Sequence, residues 1–377
     1  MEEWLHHGFG NPSGSHSVAR RAKAAVEEAR DAVAAWMGVE PAGVTFTSGG
    51  TEADNLAILG PLAAVGAFPA GPAGPAAGFG PAVVVSTVEH AAVLESARVA
   101  AGAGCEVRPL AVGADGVVDL AHLRRVLDAR VAVVSVQTAN QETGVIQPVA
   151  DVARRVRRSS PDAVFHTDAV QAAPWLDLTE ATAGADLISV SSHKIGGPQG
   201  IGALGARRDV AIAAQMHGGG QERERRSGTQ NVAGIVGFGA AAQARAALQA
   251  AQAAHVAARR DRLAGLILAA VPSAVLTAAG SRRTPGHCHL RFPGVENEAL
   301  LFLLDERGIC ASAGSACASG AVQPSPVLLA MGVDPAEATS TLRFTLGPTT
   351  TDDEVARAAA AVVESLAALG APVGGRA

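Results

Sequence analysis

The chain has 377 residues, of which 48% are hydrophobic and 17% are charged, so it is long and apolar enough for two or three globular domains and is not a disordered chain. The net charge of −5 gives no reason to expect a nucleic-acid partner. Because no apolar run reaches membrane-spanning length and there are only four cysteines, we expect a cytoplasmic protein with no membrane partner and no disulfide framework.

The first predicted element is an amphipathic helix over residues 15–37, capped by Ser15 or Ser17. A short predicted strand at 44–47 leads through a glycine turn into a second helix. The stretch 60–81 is rich in Pro, Gly and Ala and is predicted to be a surface loop.

Beyond that loop, apolar β-runs alternate with helical patterns. The predicted strands are 82–87, 105–111, 131–136, 163–167, 186–190 and 200–206. The predicted helices are 90–101, 119–128 and 149–158. This alternation favours an α/β fold with a large, mostly parallel sheet that is covered by helices.

A long helical region at 231–270 is followed by a β-α-β-α pattern. Its strands are predicted at 287–292 and 341–346, and its helices at 296–307 and 352–368. The pattern indicates a smaller α+β domain at the C-terminal end of the chain. We therefore predict a large domain over residues 12–250 and a small domain made of residues 1–11 and 251–377.

Two β-runs end in residues that suit one cofactor. Lys194 follows the run 186–191 and precedes a glycine-rich turn, where a lysine loses hydration and becomes a usable nucleophile toward a carbonyl. Asp168 ends the β-run that begins at Ala163. A Schiff-base lysine combined with a carboxylate for the pyridinium nitrogen is how proteins hold pyridoxal phosphate, and the pair therefore suggests this cofactor.

Other polar residues follow strands in the same way, and each has a structural alternative. Gly50 and Thr51 lie in a turn where free N–H groups and a helix dipole favour a phosphate, although the turn can equally be an ordinary helix cap. His90 can stack on a cofactor ring and shuttle protons, or simply cap a helix. The amide of Gln141 can bond a cofactor or substrate oxygen or only form a turn, and Gln171 can donate to a phenolic oxygen.

A cysteine and an arginine in the C-terminal third also attract attention. Cys317 lies in the small, polar stretch 311–320, which predicts an exposed and reactive thiol, whereas Cys105 and Cys310 lie within apolar periodicity and are predicted to be buried. Arg343 lies inside an apolar strand and needs a partner there. A substrate carboxylate and a structural salt bridge both meet that need.

Two further patterns are rejected. The stretch 200–205 matches G-x-G-x-x-G, but it looks like a strand and opens no helix, so we predict no dinucleotide site there. The run 287–289 reads His-Cys-His, but strand alternation points the cysteine away from both histidines. We therefore predict no metal site.

Taken together, these segments resemble the cysteine desulfurases, which are fold-type I pyridoxal-phosphate enzymes of the class V aminotransferase family. The similarity extends from about Gly8 to about residue 368. The stretches that carry it are 46–55, 89–90, 166–171, 191–194, 218–229 and 315–317. The last of these resembles the NifS/IscS-like group and not the SufS-like group. The resemblance implies a large domain with a mostly parallel sheet, a smaller α+β C-terminal domain and a homodimer.

The resemblance also implies a reaction and a set of roles. L-cysteine is converted to L-alanine, Cys317 takes the sulfur as a persulfide for a sulfur-acceptor protein, Lys194 removes the α-proton, and His90 shuttles a proton. The implied cofactor-binding residues are Gly50, Thr51, His90, Gln141, Asp168, Gln171, Ser191, His193 and Lys194, with Thr229 reaching the neighbouring subunit's site. The implied substrate-binding residues are Asn11, Gln141 and Arg343.

Several alternatives stay open at this point. The acceptor can belong to iron–sulfur cluster assembly, to tRNA thiolation or to a specialised thio-metabolite pathway. The activity can be that of another class V lyase or transaminase, such as a selenocysteine lyase, or the chain can be a catalytically impaired partner protein. The family usually begins with a strand carrying D-x-A-(A/S)-T-T-P, and this chain starts after it. We therefore expect either a misassigned start codon or the loss of part of the substrate pocket and of the small domain.

Overall fold

The computed structural model describes residues 1–8, 10–67, 80–313 and 323–374. The helices are α1 (Glu2–His6), α2 (Ser17–Met37), α3 (Gly50–Ala64), α4 (Ala91–Gly102), α5 (Leu120–Val126), α6 (Val149–Ser159), α7 (Leu178–Ala181), α8 (Val232–Ala270), α9 (Asn297–Asp305), α10 (Pro326–Ala330), α11 (Pro335–Ala338) and α12 (Asp352–Ala368). The strands are β1 (Val44–Thr47), β2 (Ala82–Ser86), β3 (Glu106–Leu110), β4 (Val131–Ser135), β5 (Val164–Asp168), β6 (Leu187–Ser191), β7 (Gly202–Ala206), β8 (Val275–Leu276), β9 (His287–Arg291) and β10 (Thr341–Thr345).

Seven strands form one large sheet in the order β1-β7-β6-β5-β4-β2-β3. Strands β2 to β6 run parallel to their neighbours among themselves, while β7 pairs antiparallel with both β6 and β1. The predicted α/β fold with a large, mostly parallel sheet is therefore confirmed. The pairing of Gly202–Ala206 in this sheet also agrees with the rejection of a dinucleotide turn at 200–205.

Helix α3 covers one face of this sheet. Ile58 and Leu62 of α3 pack in one buried cluster with Val83, Val85 and Val133 of the sheet. The valine-rich strands β2 and β4 suit this position because parallel strands between helices are buried on both faces.

Three shorter strands form a second, antiparallel sheet in the order β10-β9-β8. Helices α9 and α12 pack against each other in the same part of the chain. The first turn of α12 is fixed by a capping box, in which the Thr351 hydroxyl accepts from the Glu354 N–H and the Glu354 carboxylate accepts from the Thr351 N–H.

The chain divides into two compact units. The large unit comprises Met1–Leu110, Asp119–Thr138 and Gln147–Gln249, and it holds the seven-stranded sheet. The small unit comprises Ala111–Val118, Ala139–Ile146 and Ala250–Ala377, and it holds the antiparallel sheet. Among the described residues, no helix combines the length and the apolar character that crossing a membrane requires.

Two local predictions are wrong. The N-cap of α2 is His16, whose Nδ1 accepts from the Ala19 N–H at 3.2 Å, and neither Ser15 nor Ser17 caps it. Residues 60–64 are helical and not part of a loop, because α3 continues through Pro61 while Leu62 is buried in the core. Residues 68–79 of the predicted loop lie outside the described residues.

Candidate active site

Three residues of the large unit lie beyond the carboxyl ends of parallel strands. His90 follows β2, Asp168 is the last residue of β5, and Lys194 follows β6. The carboxyl ends of parallel strands meet at one edge of a sheet, which is where ligands bind in α/β folds. One ligating atom each of Asp54, His90 and Asp168 all lie within 4.8 Å of one another, so His90 and Asp168 meet at this edge with Asp54 of α3.

His90 combines a structural contact with this position. It is the N-cap of α4, and its Nδ1 accepts from the Ala92 N–H at 3.1 Å. His90 therefore caps α4, which is the structural alternative that the sequence left open. The same side chain lies beside Asp168, on which its charge acts.

Asp168 is a buried carboxyl at the end of β5. It accepts the Val170 N–H at 2.8 Å. Burial raises the pKa of Asp168 above its usual range, while that N–H and the charges of His90 and Lys194 act in the opposite direction. A cationic ring nitrogen would complete the partners of such a carboxylate.

Lys194 lies in the 3-10 turn Ser192–Ile195 that follows β6. The turn ends at Gly196, whose φ of 85° is a left-handed conformation that glycine adopts without strain. The lysine side chain is half-buried, and its charge acts on Asp168. Burial and the charge of Lys194 both lower the pKa of His193.

The predicted phosphate turn borders a cavity of about 370 Å³. Its lining residues are Ser48, Gly49, Gly50, Thr51, Glu52, Ser191, His193, Gln199 and Gly200. The N-cap of α3 is Gly49, which has no side chain to satisfy the free N–H groups of the first turn. Gly202 lets the turn approach β7, since a Cβ there would lie 2.7 Å from the carbonyl carbon of Gly49.

The one carboxylate in this lining is neutralised by its neighbours. Glu52 accepts the Ser48 N–H at 2.8 Å and pairs with Nε of Arg226 at 2.9 Å. Although burial raises the pKa of Glu52, these hydrogen bonds hold it below the usual range. The cavity therefore offers free N–H groups beside a carboxylate that is already paired, which suits a phosphate.

The residues of the large unit fit pyridoxal phosphate. The N-terminus of α3, which has no side-chain cap, can bind the phosphate. The buried carboxylate of Asp168 can pair with the ring nitrogen, and Lys194 can form the Schiff base. Gln171 is half-buried in the turn that follows β5, and Ser191 is the buried last residue of β6.

A strained segment precedes Thr229. Glu222, Arg223 and Glu224 all have positive φ, which costs roughly 1 kcal/mol or more for each such residue. The Glu222 carboxylate holds the segment in place, since it accepts both Nη1 and Nη2 of buried Arg30 at 2.8 and 2.9 Å. Thr229 itself is exposed.

The candidate substrate residues Gln141 and Arg343 belong to the small unit. Nη1 of Arg343 donates to the backbone carbonyl of Gln141 at 2.9 Å. Its Nε is buried and has no hydrogen-bond partner among the described residues. A guanidinium with a carbonyl partner and a free N–H can still accept a carboxylate ligand.

Glu142 lies beside this arginine and was not predicted from the sequence. Its Oε2 accepts the Ser325 hydroxyl at 2.6 Å, and its own N–H donates to Oδ1 of Asn140 at 3.0 Å. Burial raises the pKa of Glu142 to about 7, while the bond from Ser325 and the charge of Arg343 oppose that rise. Ser325 also caps α10 and lies eight residues after Cys317 in the sequence.

The raised pKa of Glu142 predicts a pH-dependent stability. Because the folded protein prefers the protonated acid, the contribution of Glu142 to stability falls as the pH rises from about 4.5 to about 7 and is then constant. Glu142→Gln removes this loss and keeps an acceptor for Ser325. We expect the variant to gain stability over wild type by at most about 1.4 kcal/mol per pH unit in that range, measured by urea unfolding. The exposed Glu296→Gln is the control, and a gain that does not depend on pH would contradict the assignment.

Known proteins are similar to this chain over most of its length. The profile of the aminotransferase class V family matches residues 1–358. The IscS-like cysteine desulfurase of Mycobacterium tuberculosis (strain ATCC 25618 / H37Rv) is 41% identical over 351 residues, which are 92% of this chain and 87% of that protein. The cysteine desulfurase NifS of Azotobacter vinelandii is 38% identical over 350 residues, which are 93% of this chain and 84% of that protein. The chain belongs to the class V aminotransferase family.

A solved structure described as a NifS-like protein supports the same placement. It superposes with a TM-score of 0.88 at 31% identity and covers 98% of this chain and 94% of that one. Within the class V family the chain therefore belongs to the IscS- and NifS-like cysteine desulfurases, as its sequence resemblance implies.

Asn11 and the cysteines are the remaining residues that the sequence singles out. Asn11 is exposed in the turn before α2, and its Oδ1 accepts the Ser13 N–H at 3.0 Å. Cys317 falls in the stretch 314–322, which lies outside the described residues. Cys105 is buried as predicted, but Cys310 is exposed, because it lies in the segment that follows the end of α9.

Sequence reasoning missed Asp54 as a member of the strand-edge group. It lies on α3 and is 1% exposed, flanked by residues that pack into the apolar core. A carboxylate on the buried face of a helix was the available signal, since such a group needs a specific partner. That partner could not be named from residue spacing alone.

Proposed function

We propose that the protein is a pyridoxal-phosphate-dependent cysteine desulfurase. The reaction is L-cysteine plus the Cys317 thiol giving L-alanine plus the Cys317 persulfide, which balances atoms and electrons. The observation that carries the proposal is the meeting of Asp168, His90 and an uncapped α3 N-terminus with Lys194 at one sheet edge of a class V chain.

The cofactor, when bound, supplies an electron sink that makes the α-proton of an amino acid acidic. Asp168 would hold the ring nitrogen with its buried carboxylate, and Gln171 would donate to the phenolic oxygen. Gly50 and Thr51 would offer N–H groups to the phosphate, together with Ser191 and His193, which line the same cavity. Gln141 is proposed as a further cofactor or substrate contact.

Proton movement is assigned to two side chains. Nζ of Lys194 takes the α-proton of the substrate and later returns a proton to the product. His90 is the proposed proton shuttle. Its Nδ1 already accepts from Ala92, so the other ring nitrogen, Nε2, is the atom that is available for this exchange.

The substrate carboxylate is assigned to Arg343 and Asn11. The orphaned Nε of Arg343 is the donor that a carboxylate would satisfy. The Cys317 thiolate attacks the substrate sulfur, and the bond between that sulfur and the substrate β-carbon breaks. Cys317 then carries the sulfur as a persulfide to an acceptor protein. We further propose a homodimer in which the exposed Thr229 contributes to the neighbouring subunit's phosphate site.

The proposal is tested by incubating the purified full chain, loaded with pyridoxal phosphate, with L-cysteine. We expect L-alanine and protein-bound persulfide to form in equal amounts in the first turnover. L-serine is the control, because its β-substituent is a hydroxyl and it has no sulfur to transfer to a thiolate. If alanine formed from L-selenocysteine but not from L-cysteine, the protein would be a selenocysteine lyase and not a desulfurase. If the chain took up no cofactor, it would have neither activity.

A further inference from the structure

A second carboxyl lies beside Asp168 in the core of the large unit. Asp54 of α3 is 1% exposed and Asp168 is 6% exposed. One carboxyl oxygen of each, together with a ring nitrogen of His90, lie within 4.8 Å of one another. We call Asp54 and Asp168 the carboxyl pair. Two buried carboxylates at this separation repel each other strongly, so the pair holds a proton over a wide pH range.

The contacts of the two acids show where that proton lies. Asp168 accepts a backbone N–H from Val170 and faces the positive charge of Lys194, both of which stabilise an anion. Among the described residues, the Ser189 hydroxyl is the group that favours an ionised Asp54, and Oδ1 of Asp54 has no hydrogen-bond partner there.

A second histidine near Asp54, His166, cannot serve as its counter-ion. Oδ1 of Asp54 lies 3.6 Å from Nε2 of His166. That ring is fully buried between two serine hydroxyls, with Ser135 at 2.9 Å from Nδ1 and Ser189 at 2.9 Å from Nε2. Burial lowers the pKa of His166 to about 3, so the ring is neutral at physiological pH.

We propose that Asp54 carries the proton of the carboxyl pair at neutral pH and so leaves Asp168 as the ionised member, which makes Asp54 a positioning residue for Asp168. If Asp54 were ionised, one of two things would follow. Either two negative charges would lie beside the ring nitrogen of the cofactor, or Asp168 would carry the proton instead. Ser135, His166 and Ser189 form a hydrogen-bonded chain next to Asp54. The chain presents neutral dipoles to Asp54 and no charge. Burial and the charge of Asp168 both raise the pKa of Asp54, and the buried Glu89 adds to that rise.

The inference rests on the proposed function for the role of Asp168, but it can be tested without any reaction. The measurement is the infrared carbonyl band of a protonated carboxylic acid, recorded on the full chain without cofactor at neutral pH. The chain is labelled with carbon-13 in the aspartate carboxyl group, so that an aspartic acid is distinguished from Glu89 and Glu142. We expect wild type to show an aspartic acid band that shifts with the label. A wild type with no such band would overturn the proposal even if no variant folds.

Two isosteric variants then identify the residue. In Asp54→Asn the labelled band should be lost, and in Asp168→Asn it should disappear at a lower pH, because Asp54 ionises more readily without its neighbour. A band that is lost in Asp168→Asn at every pH and kept in Asp54→Asn would reverse the assignment and overturn it.

The positioning role is tested by the affinity for pyridoxal phosphate. Asp54→Asn stays neutral and should keep the dissociation constant within about threefold of wild type, whereas Asp168→Asn should weaken binding by about tenfold or more. Weakening of the same size in Asp54→Asn would mean that an ionised Asp54 is required. If the labelled band behaves as expected and the chain still makes no alanine from L-cysteine, the proposed function fails and the proton assignment stands.

Discussion

Replacing Lys194 by alanine should remove both the visible absorbance of the bound cofactor and the conversion of L-cysteine. The residue is proposed to bond the cofactor and to move the α-proton, so a single substitution removes two steps. Loss of a positioned base alone lowers turnover by about 10²- to 10⁴-fold, and loss of the covalent link adds to this. Turnover is measured as alanine formed, and cofactor binding as the absorbance of the desalted protein.

The composition of the chain gives this experiment an unusually clean control. Lys23 and Lys194 are the only lysines in the sequence, and Lys23 is exposed on α2. Lys23→Ala should therefore keep wild-type colour and turnover. Borohydride reduction should fix the cofactor on Lys194 only, as seen by mass spectrometry of peptides. Cofactor that is fixed on Lys23, or full turnover in Lys194→Ala, would contradict the role of Lys194.

Replacing Cys317 by alanine should separate cofactor chemistry from sulfur transfer. The variant keeps the proposed phosphate turn, Asp168 and Lys194, so it should bind the cofactor and show the wild-type visible spectrum. Persulfide formation should be lost, and alanine production from L-cysteine should fall by at least about 10²-fold, because the nucleophile that receives the sulfur is gone. Persulfide is measured by thiol-specific labelling and mass spectrometry.

A matched control lies nearby in the chain. Cys310 is an exposed free cysteine seven residues before Cys317, and Cys310→Ala should leave both persulfide formation and turnover at the wild-type level. Release of sulfide at the normal rate by Cys317→Ala would show that the thiol is dispensable, and the desulfurase mechanism would then be wrong.

The large sheet was predictable because its strands are apolar runs with turn signals between them. Every strand of that sheet lies within two residues of its predicted position, and the parallel arrangement follows from the alternation with helices. Short elements such as α7, with four residues, and β8, with two, were not predicted, because so few residues carry no periodicity. The end of α3 was misjudged because burial of Leu62 outweighs the local signal of Pro61.

The main candidate residues were also visible in the chain. Lys194, Asp168 and His90 each follow a β-run, and the topology of parallel strands places such residues at one edge. The partners of these residues were not visible. Asp54 reaches Asp168 from α3, which precedes it by more than a hundred positions in the sequence, and Glu142 meets Ser325 across 183 positions.

The sequence by itself determined the fold class, the family and the cofactor chemistry, because these depend on periodicity and on residue types at the ends of strands. Only the tertiary structure decided which carboxyl groups share one buried site and which cysteine is exposed. The raised pKa values of Asp54 and Glu142 belong to this second group. The reason is physical: desolvation and charge repulsion depend on distance and burial in space, and no spacing along the chain sets either of them.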